Sequence, residues 1–249
     1  MNGIPDCRTF ALMKAMLLAA GLGTRLAPFT NLHPKALAPV GDHTLLEWNI
    51  RYLQRWGIQD VIVNVHHFAD QIEDAIRAAD GWGSRVSVSD ERGEVLETGG
   101  GLKKAASYFA GEEAFVVMNV DVLTDLSLET LISAHLQHDA LATLAVMQRS
   151  SSRYLLFNEN MQLKGWRNEK TGAMRGEEGA PYAFTGIQVI SGRLLQGIAQ
   201  EGKFSLIDVY LDAASGGGDI RGYDHTGDRF LDVGKPETLA MAAGLFPQK

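Results

Sequence analysis

The sequence predicts an α/β fold, a mostly parallel (mixed) sheet with helices on both faces, and three observations carry that expectation. Short apolar runs alternate with amphipathic stretches along most of the 249 residues, the rhythm of strand–helix–strand units. The first run passes straight into a turn bearing two glycines, as a strand does when it feeds a ligand loop at the sheet's carboxyl edge. A chain that is 45% hydrophobic and 21% charged can also bury a large core at this length.

Residues 1–12 read as a disordered leader before a natural start at Met13, and 13–249 as a single domain. Residues 15–20 are a short buried strand ended by Gly21-Leu22-Gly23. Leu45, Leu46, Asn49, Leu53 and Trp56 recur at helical spacing, so 44–56 is an amphipathic helix with Thr44 as N-cap and Gly57 as its stop. Residues 60–65 form a second buried strand, 69–79 a helix and 85–89 an extended segment. The glycines at 99–101 open a helix over 102–109. Strand 114–119, helix 128–138 and strand 142–147 continue the alternation. From 150 to 178 Ser, Asn, Glu and Gly dominate, which predicts a hairpin-like lid or sugar-binding insertion. Strand 184–190, helices over 193–200 and 205–213, a short strand at 229–233 and a helix at 235–245 complete the chain.

Composition narrows the function without naming a reaction. A net charge of −7 disfavours a nucleic-acid-binding surface, which needs a basic patch. Small anionic substrates remain, because a few local cations, a helix N-terminus or a bound metal suffice for them. No apolar run approaches the 18 or more residues of a membrane span, and the first twelve residues lack the apolar core of a signal peptide. The single cysteine, Cys7, excludes an internal disulfide and fits a reducing, cytoplasmic setting.

The chemistry begins at Leu18-Ala19-Ala20-Gly21-Leu22-Gly23-Thr24-Arg25-Leu26. Glycines let backbone N–H groups approach phosphate oxygens, and Arg25 can fork onto a phosphate. A Walker A loop needs a Gly-Lys-Ser/Thr that this turn lacks. A dinucleotide fingerprint needs glycine where Leu26 stands and an acid at the end of the second strand, which here ends only at Val65. An ordinary strand–helix turn is the plain alternative. Ten residues on, Pro34-Lys35-Ala36-Leu37-Ala38-Pro39 stiffens the chain around Lys35, which suits a second positive anchor better than a solvated lysine.

Together, the stretch from Met16 to Arg25 and Pro34-Lys35 resemble the signature of sugar-1-phosphate nucleotidyltransferases, the nucleotide-sugar pyrophosphorylases. The resemblance implies a Rossmann-like sheet of the nucleotide-diphospho-sugar transferase type. It implies transfer of a nucleotidyl group from a nucleoside triphosphate to a sugar 1-phosphate, with pyrophosphate released and Mg²⁺ as cofactor. It assigns Gly21, Gly23, Thr24 and Arg25 to the triphosphate, Lys35 to a phosphate, and the backbone around Leu18 and Ala20 to the base. Arg25, Lys35 and Asp121 then become the catalytic group.

Asp121 follows the apolar strand ending in Met118-Asn119, and Asp232 lies in Arg229-Phe-Leu-Asp-Val-Gly-Lys-Pro-Glu237. Either carboxylate alone reads as a turn cap. The resemblance makes both metal ligands, with Lys235 where the family usually carries threonine and Val120 where it carries Gly or Ala. Glu97-Thr98-Gly99-Gly100-Gly101 is similar to the base-contacting turn of a short-chain branch that includes N-acetylmuramate-1-phosphate uridylyltransferases and some mannose-1-phosphate guanylyltransferases. That implies a close approach of Gly100 and Gly101 to the nucleotide, and His66-His67-Phe68-Ala69-Asp70-Gln71-Ile72 is also similar to this branch. The two histidines read as local structure rather than metal ligands, since no third ligand accompanies them.

Many relatives place a sugar-phosphate lysine in a Glu-Lys-Pro motif, where this chain has Lys164-Gly165-Trp166-Arg167-Asn168. Arg153, Trp166, Asn168, Thr185 and Gly186 are the candidates for sugar-phosphate binding in its place, with an ordinary aromatic under the lid as the plain reading of Trp166. His135 and His138, one helical turn apart, read as a solvated pair. The chain stops at Lys249 without the repeat-built β-helix of some longer relatives. Uridylyl transfer to an N-acetylated sugar 1-phosphate such as N-acetylmuramate 1-phosphate is the leading expectation. Guanylyl transfer to mannose 1-phosphate follows, and a non-catalytic nucleotide-sugar sensor or a Rossmann oxidoreductase are the rivals from other classes. Retention of Arg25, Lys35, Asp121 and Asp232 speaks against a sensor, and Leu26 with the missing acid against an oxidoreductase.

Overall fold

The computed structural model describes residues 13–246, and the expected leader over 1–12 lies outside them. Fourteen strands are interleaved with seven α-helices among the described residues. In chain order the strands are β1 (Lys14–Leu18), β2 (Pro39–Val40), β3 (His43–Thr44), β4 (Asp60–Val65), β5 (Arg85–Asp90), β6 (Ala114–Asn119) and β7 (Val122–Thr124). They continue with β8 (Ala142–Met147), β9 (Arg153–Phe157), β10 (Leu163–Asn168), β11 (Met174–Gly176), β12 (Ala180–Ser191), β13 (Ile220–Asp224) and β14 (Phe230–Asp232). The helices are α1 (Leu45–Arg55), α2 (Ala69–Ala78), α3 (Glu97–Lys104), α4 (Leu128–His138), α5 (Gly192–Gly197), α6 (Leu206–Ser215) and α7 (Pro236–Leu245).

The main sheet runs β11-β10-β9-β12-β6-β1-β4-β5, with β8 also paired to β12 and β13 to β8. It is mixed. β5, β4, β1 and β6 are mutually parallel, whereas β12 runs antiparallel to β6, β8 and β9. Successive residues of a strand point to opposite faces, and the core divides accordingly. Ala15, Leu17, Val61, Val63, Val116 and Met118 join one cluster with the apolar stripes of α1, α2 and α4. Met16, Ile62, Phe115 and Val117 face the other, beneath α3, α5 and α6. Helices therefore cover both faces. A third cluster, built on Leu26, Val40, Leu45, Leu123, Val233 and Phe246, seats α7 beside the loops that follow β1.

Most expected elements form within a residue or two of their bounds. Thr44 caps α1 by accepting from the Glu47 amide at 3.2 Å. Three readings need correction. The glycines at 99–101 do not precede a helix but lie within α3, which ends early in a 3-10 turn, Ala106–Phe109. β13 was not anticipated, because Ile-Arg-Gly-Tyr-Asp presents only one buried apolar residue, Ile220, at the sheet margin. His135 is buried rather than solvated. Its Nδ1 lies 3.0 Å from Thr143 Oγ1, and burial pushes its pKa down to about 4.

Residues 153–176 form an antiparallel meander, β9-β10-β11, that extends the sheet beyond β12. Gly165 and Gly176 are required there. A Cβ at Gly165 would lie 2.3 Å from the Glu177 carbonyl, and one at Gly176, with φ +82°, 2.3 Å from the Lys164 carbonyl.

Candidate active site

Four parallel strands bring their carboxyl ends to one edge, where a cleft of about 360 Å³ opens. The first wall is the turn after β1, with Leu18, Ala20, Gly21, Gly23, Thr24 and Arg25 at the cleft. The shape of the turn has a specific cause. Asn64 on β4, almost fully buried, accepts from the Ala19 amide at 2.7 Å and the Ala20 amide at 3.3 Å. Its Nδ2 donates to Glu91 Oε1 at 2.8 Å. Gly23 then takes φ +64°, and a Cβ there would meet Lys35 Cβ at 2.9 Å and Thr30 Cγ2 at 3.0 Å. Only glycine meets both demands. Thr30 Oγ1 donates to the Gly23 carbonyl at 3.0 Å and pins the turn from below. Gly21 has open space where a side chain would project, on the cleft side.

The second wall holds the charges. Asp121 follows β6, and Lys35 Nζ donates to its Oδ2 across the cleft in a close ion pair. Asp232 comes from far along the chain. β14 pairs antiparallel with β7, placing Asp232 opposite Val122, and the Val233 amide donates to the Asp121 carbonyl at 2.8 Å. The two aspartates thus meet although more than a hundred residues separate them. Gly234 makes room for the meeting: a Cβ there would lie 2.7 Å from Asp232 Oδ1 and 3.0 Å from a terminal nitrogen of Arg25.

Asp232 Oδ1 is buried with no hydrogen-bond partner. Burial, and then the neighbouring Asp121, push its carboxyl above the ordinary carboxylate range, while Lys35, Arg25 and Arg149 pull it back. A buried carboxylate with an orphaned oxygen, facing a second carboxylate, is the hard-oxygen donor set that suits Mg²⁺. Among the described residues no cluster of three or more His, Cys, Asp or Glu side chains forms an alternative metal site. Two carboxylates are what an ion needs when its remaining ligands are water and phosphate.

Arg25, Lys35, Asp121, Gly21, Gly23, Thr24, Leu18 and Ala20 are therefore brought together, with Asp232 directly behind Gly234. Gly100 and Gly101 are not at the cleft surface. A Cβ at Gly100 would lie 2.0 Å from the Gly202 carbonyl, and one at Gly101 2.7 Å from Glu91 Oε1. Their small size serves packing of α3 against residues 202–204 and against the Asn64–Glu91 pair. Val95, Glu97 and Thr98 line the cleft instead. Thr185 is 2% exposed, and its hydroxyl donates to the Ala145 carbonyl at 2.8 Å and lies 3.1 Å from His225 Nε2. Gly186, with φ +80°, backs against Asn119, where a Cβ would meet Nδ2 at 2.6 Å.

Arg153, Trp166 and Asn168 stand on the β9–β10 ladder and none lines the cleft. Asn168 Oδ1 accepts from the Lys170 amide and closes a hairpin turn, and Trp166 packs on the second core cluster. The sequence reading missed Asn64, Asn119 and Arg149. An asparagine inside an otherwise apolar strand, Asp-Val-Ile-Val-Asn-Val, was the available signal for Asn64, because a buried amide needs partners.

This edge, with its glycine turn, two cations and paired carboxylates, has a counterpart in sequence. Residues 14–155, more than half of the chain, match the family model described as nucleotidyl transferase, and the chain belongs to that family. Among curated proteins it is 46% identical over 109 residues to N-acetylmuramate alpha-1-phosphate uridylyltransferase of Caulobacter vibrioides, covering 43% of this chain and 45% of that one. It is 33% identical over 136 residues to the mannose-1-phosphate guanylyltransferase catalytic subunit beta of Danio rerio, covering 54% and 38%. The matches thus span less than half of either relative. The fold is shared with HddC from Yersinia pseudotuberculosis, solved in complex with GMP-PN, at a TM-score of 0.75 and 24% identity over 94% of this chain and 99% of that one.

Proposed function

We propose that the chain is an Mg²⁺-dependent sugar-1-phosphate nucleotidyltransferase, and that its leading pair is UTP with an N-acetylated sugar 1-phosphate such as N-acetylmuramate 1-phosphate. The convergence of Arg25, Lys35 and Asp121 on one cleft at the carboxyl edge of β1, β4 and β6, with Asp232 behind Gly234, carries the reading. The 46% identity to an N-acetylmuramate alpha-1-phosphate uridylyltransferase supports the choice of substrates.

The residues divide the work. The turn from Leu18 to Thr24 presents backbone N–H groups to the triphosphate, and Asn64 holds that turn in shape. Val95, Glu97 and Thr98 form the wall beside Leu18 and Ala20 where the base lies. Asp121 and Asp232 would hold the cation, which would supply positive charge against the triphosphate oxygens. A phosphate oxygen of the sugar 1-phosphate forms a bond to the α-phosphorus. The bond from that phosphorus to the α–β bridging oxygen breaks, and pyrophosphate leaves with the electron pair. Arg25 stabilises the charge gathering on the leaving group, and Lys35, which stands at the cleft beside Asp121, takes a phosphate oxygen. The nucleophile is already an anion near neutral pH, so the step needs positioning and charge neutralisation rather than a general base.

A matrix of four triphosphates against a panel of sugar 1-phosphates, read by pyrophosphate release with and without Mg²⁺, tests this. Release from one pair, abolished by chelation, is the expected result. Preference for GTP with mannose 1-phosphate is the second reading, favoured by the 33% identity to a mannose-1-phosphate guanylyltransferase subunit. Release from no pair overturns both readings and leaves a nucleotide-sugar-binding homologue.

A further inference from the structure

A half-buried arginine near the cleft makes no ion pair within 4 Å of a carboxylate among the described residues. Arg149 lies two residues past β8, and its position follows from the sheet. β8 and β6 both run antiparallel to β12, so they run in the same direction. Arg149 beyond the end of β8 therefore falls at the same edge as Asp121 beyond the end of β6.

The guanidinium lies 4.9 Å from the centroid of the Phe230 ring, and Phe230 stands two residues before Asp232 on β14. Residues two apart on a strand share a face, so the cation and the metal-type carboxylate are neighbours. Each is felt by the other: Arg149 pulls the Asp232 carboxyl down, and Asp232 opposes the loss of charge that burial imposes on Arg149.

Its hydrogen bonds among the described residues are two long ones to backbone, to the Phe184 carbonyl at 3.3 Å and the Ser150 carbonyl at 3.5 Å. Nε is buried with no acceptor. A guanidinium carries five donors, and burying it without an anion costs free energy that folding alone does not recover. In front of it opens a groove with Gln148, Ser150, Tyr154 and Tyr182 on its walls, which offer neutral hydroxyl and amide groups and no carboxylate.

We propose that Arg149 receives the phosphate of the sugar 1-phosphate, holding the nucleophile at the cleft while the sugar extends into the Gln148–Tyr182 groove. The proposal rests on the nucleotidyl-transfer reading above for the identity of its ligand. It explains how a chain without the Glu-Lys-Pro lysine, whose Lys164 is exposed on β10, binds a dianion. A planar fork over an aromatic ring suits a phosphate better than a lysine point charge does. Arg153, Trp166 and Asn168 have no part in it.

The test is steady-state kinetics on wild type, R149K and R149Q with the pair that the substrate matrix identifies. Loss of a charge-assisted contact predicts that R149Q raises KM for the sugar 1-phosphate roughly 10- to 100-fold. KM for the triphosphate stays unchanged, R149K recovers part of the loss, and millimolar guanidinium ion partly rescues R149Q. An unchanged sugar-phosphate KM, or an equal rise in both KM values, overturns the proposal. If R149Q does not fold, Phe230→Leu removes the ring beneath the cation and is expected to raise the sugar-phosphate KM alone; no selective rise overturns the proposal equally. Should the wild-type chain turn over no pair, the transfer reading fails separately. Calorimetric binding of a sugar 1-phosphate then decides Arg149, with weaker binding by R149Q in support and equal binding against.

Discussion

Asn64→Ala isolates the interaction that shapes the triphosphate turn. The side chain is almost fully buried, and its carbonyl serves two backbone amides while its amide serves Glu91. The bond to Ala19 is short at 2.7 Å, so its loss leaves a buried donor that costs about 1–3 kcal/mol. The Ala20 bond at 3.3 Å is weaker, and Ala20 borders the cleft, where water can replace the lost acceptor. Glu91 loses its amide donor and keeps a second oxygen, Oε2, that already has no partner. Summed with the low end for the water-accessible site, the loss is about 2–4 kcal/mol. For a chain of this size that lowers Tm by roughly 4–16 °C. Because the turn is then free to relax, KM for the triphosphate rises while KM for the sugar 1-phosphate holds. Thermal melts and two-substrate kinetics read both effects. An Asn64→Ala protein with wild-type Tm and wild-type triphosphate KM would show that the turn keeps its shape without the asparagine, and the account of the first cleft wall would fall.

Further outcomes follow from the same geometry. Asp121→Asn keeps an acceptor for Lys35 but halves the paired charge, so turnover drops by a factor on the order of 10² or more with a melt near that of wild type; a near-normal rate at saturating Mg²⁺ would remove Asp121 from the metal site. Gly100→Ala puts a methyl 2.0 Å from the Gly202 carbonyl and costs about 1–3 kcal/mol in urea unfolding, with KM values unchanged in the folded fraction. A selective rise in triphosphate KM would instead return that glycine to the nucleotide. Burial raises the Glu91 carboxyl above its ordinary value of 4.5. The folded state thus holds the proton more tightly than the unfolded chain, and stability declines as pH rises from about 4.5 through the folded value. Glu91→Gln should flatten that part of the pH–stability curve, and an unaltered slope would assign it to other groups.

The parallel half of the sheet was legible because β1, β4 and β6 are largely apolar runs, with β5 alternating beside them, and the turn after β1 because glycines, Arg25 and Lys35 stand close together in sequence. The aspartate pair was legible only through the family resemblance. Nothing local says that residue 232 will lie beside residue 121, since the β7–β14 ladder pairs two three-residue strands far apart in sequence. The sugar side was less legible for a related reason. Arg153, Trp166 and Asn168 were attractive as polar or aromatic residues in a segment of weak rhythm, and they stand on the β9–β10 ladder outside the cleft lining. Arg149 escaped notice because one arginine after a strand reads as solvated until Phe230 comes beneath it from far along the chain. The triple glycine carried a true signal of close approach, which the structure meets with segments of protein, the Gly202 carbonyl, Phe204 and Glu91.

The short ladder joining Val122–Thr124 to Phe230–Asp232 has a bearing on how the molecule matures. On the proposed reading, the residues assigned to the triphosphate lie within the first half of the chain, yet the second carboxylate arrives only with β14. A folding intermediate with the parallel strands in place but β14 undocked has one acid at the site, and that acid is tied to Lys35. Long-range pairings of this kind form late, after loop closure has been met by other contacts. On the transfer reading, a chain in that state lacks one of the two carboxylates assigned to the cation.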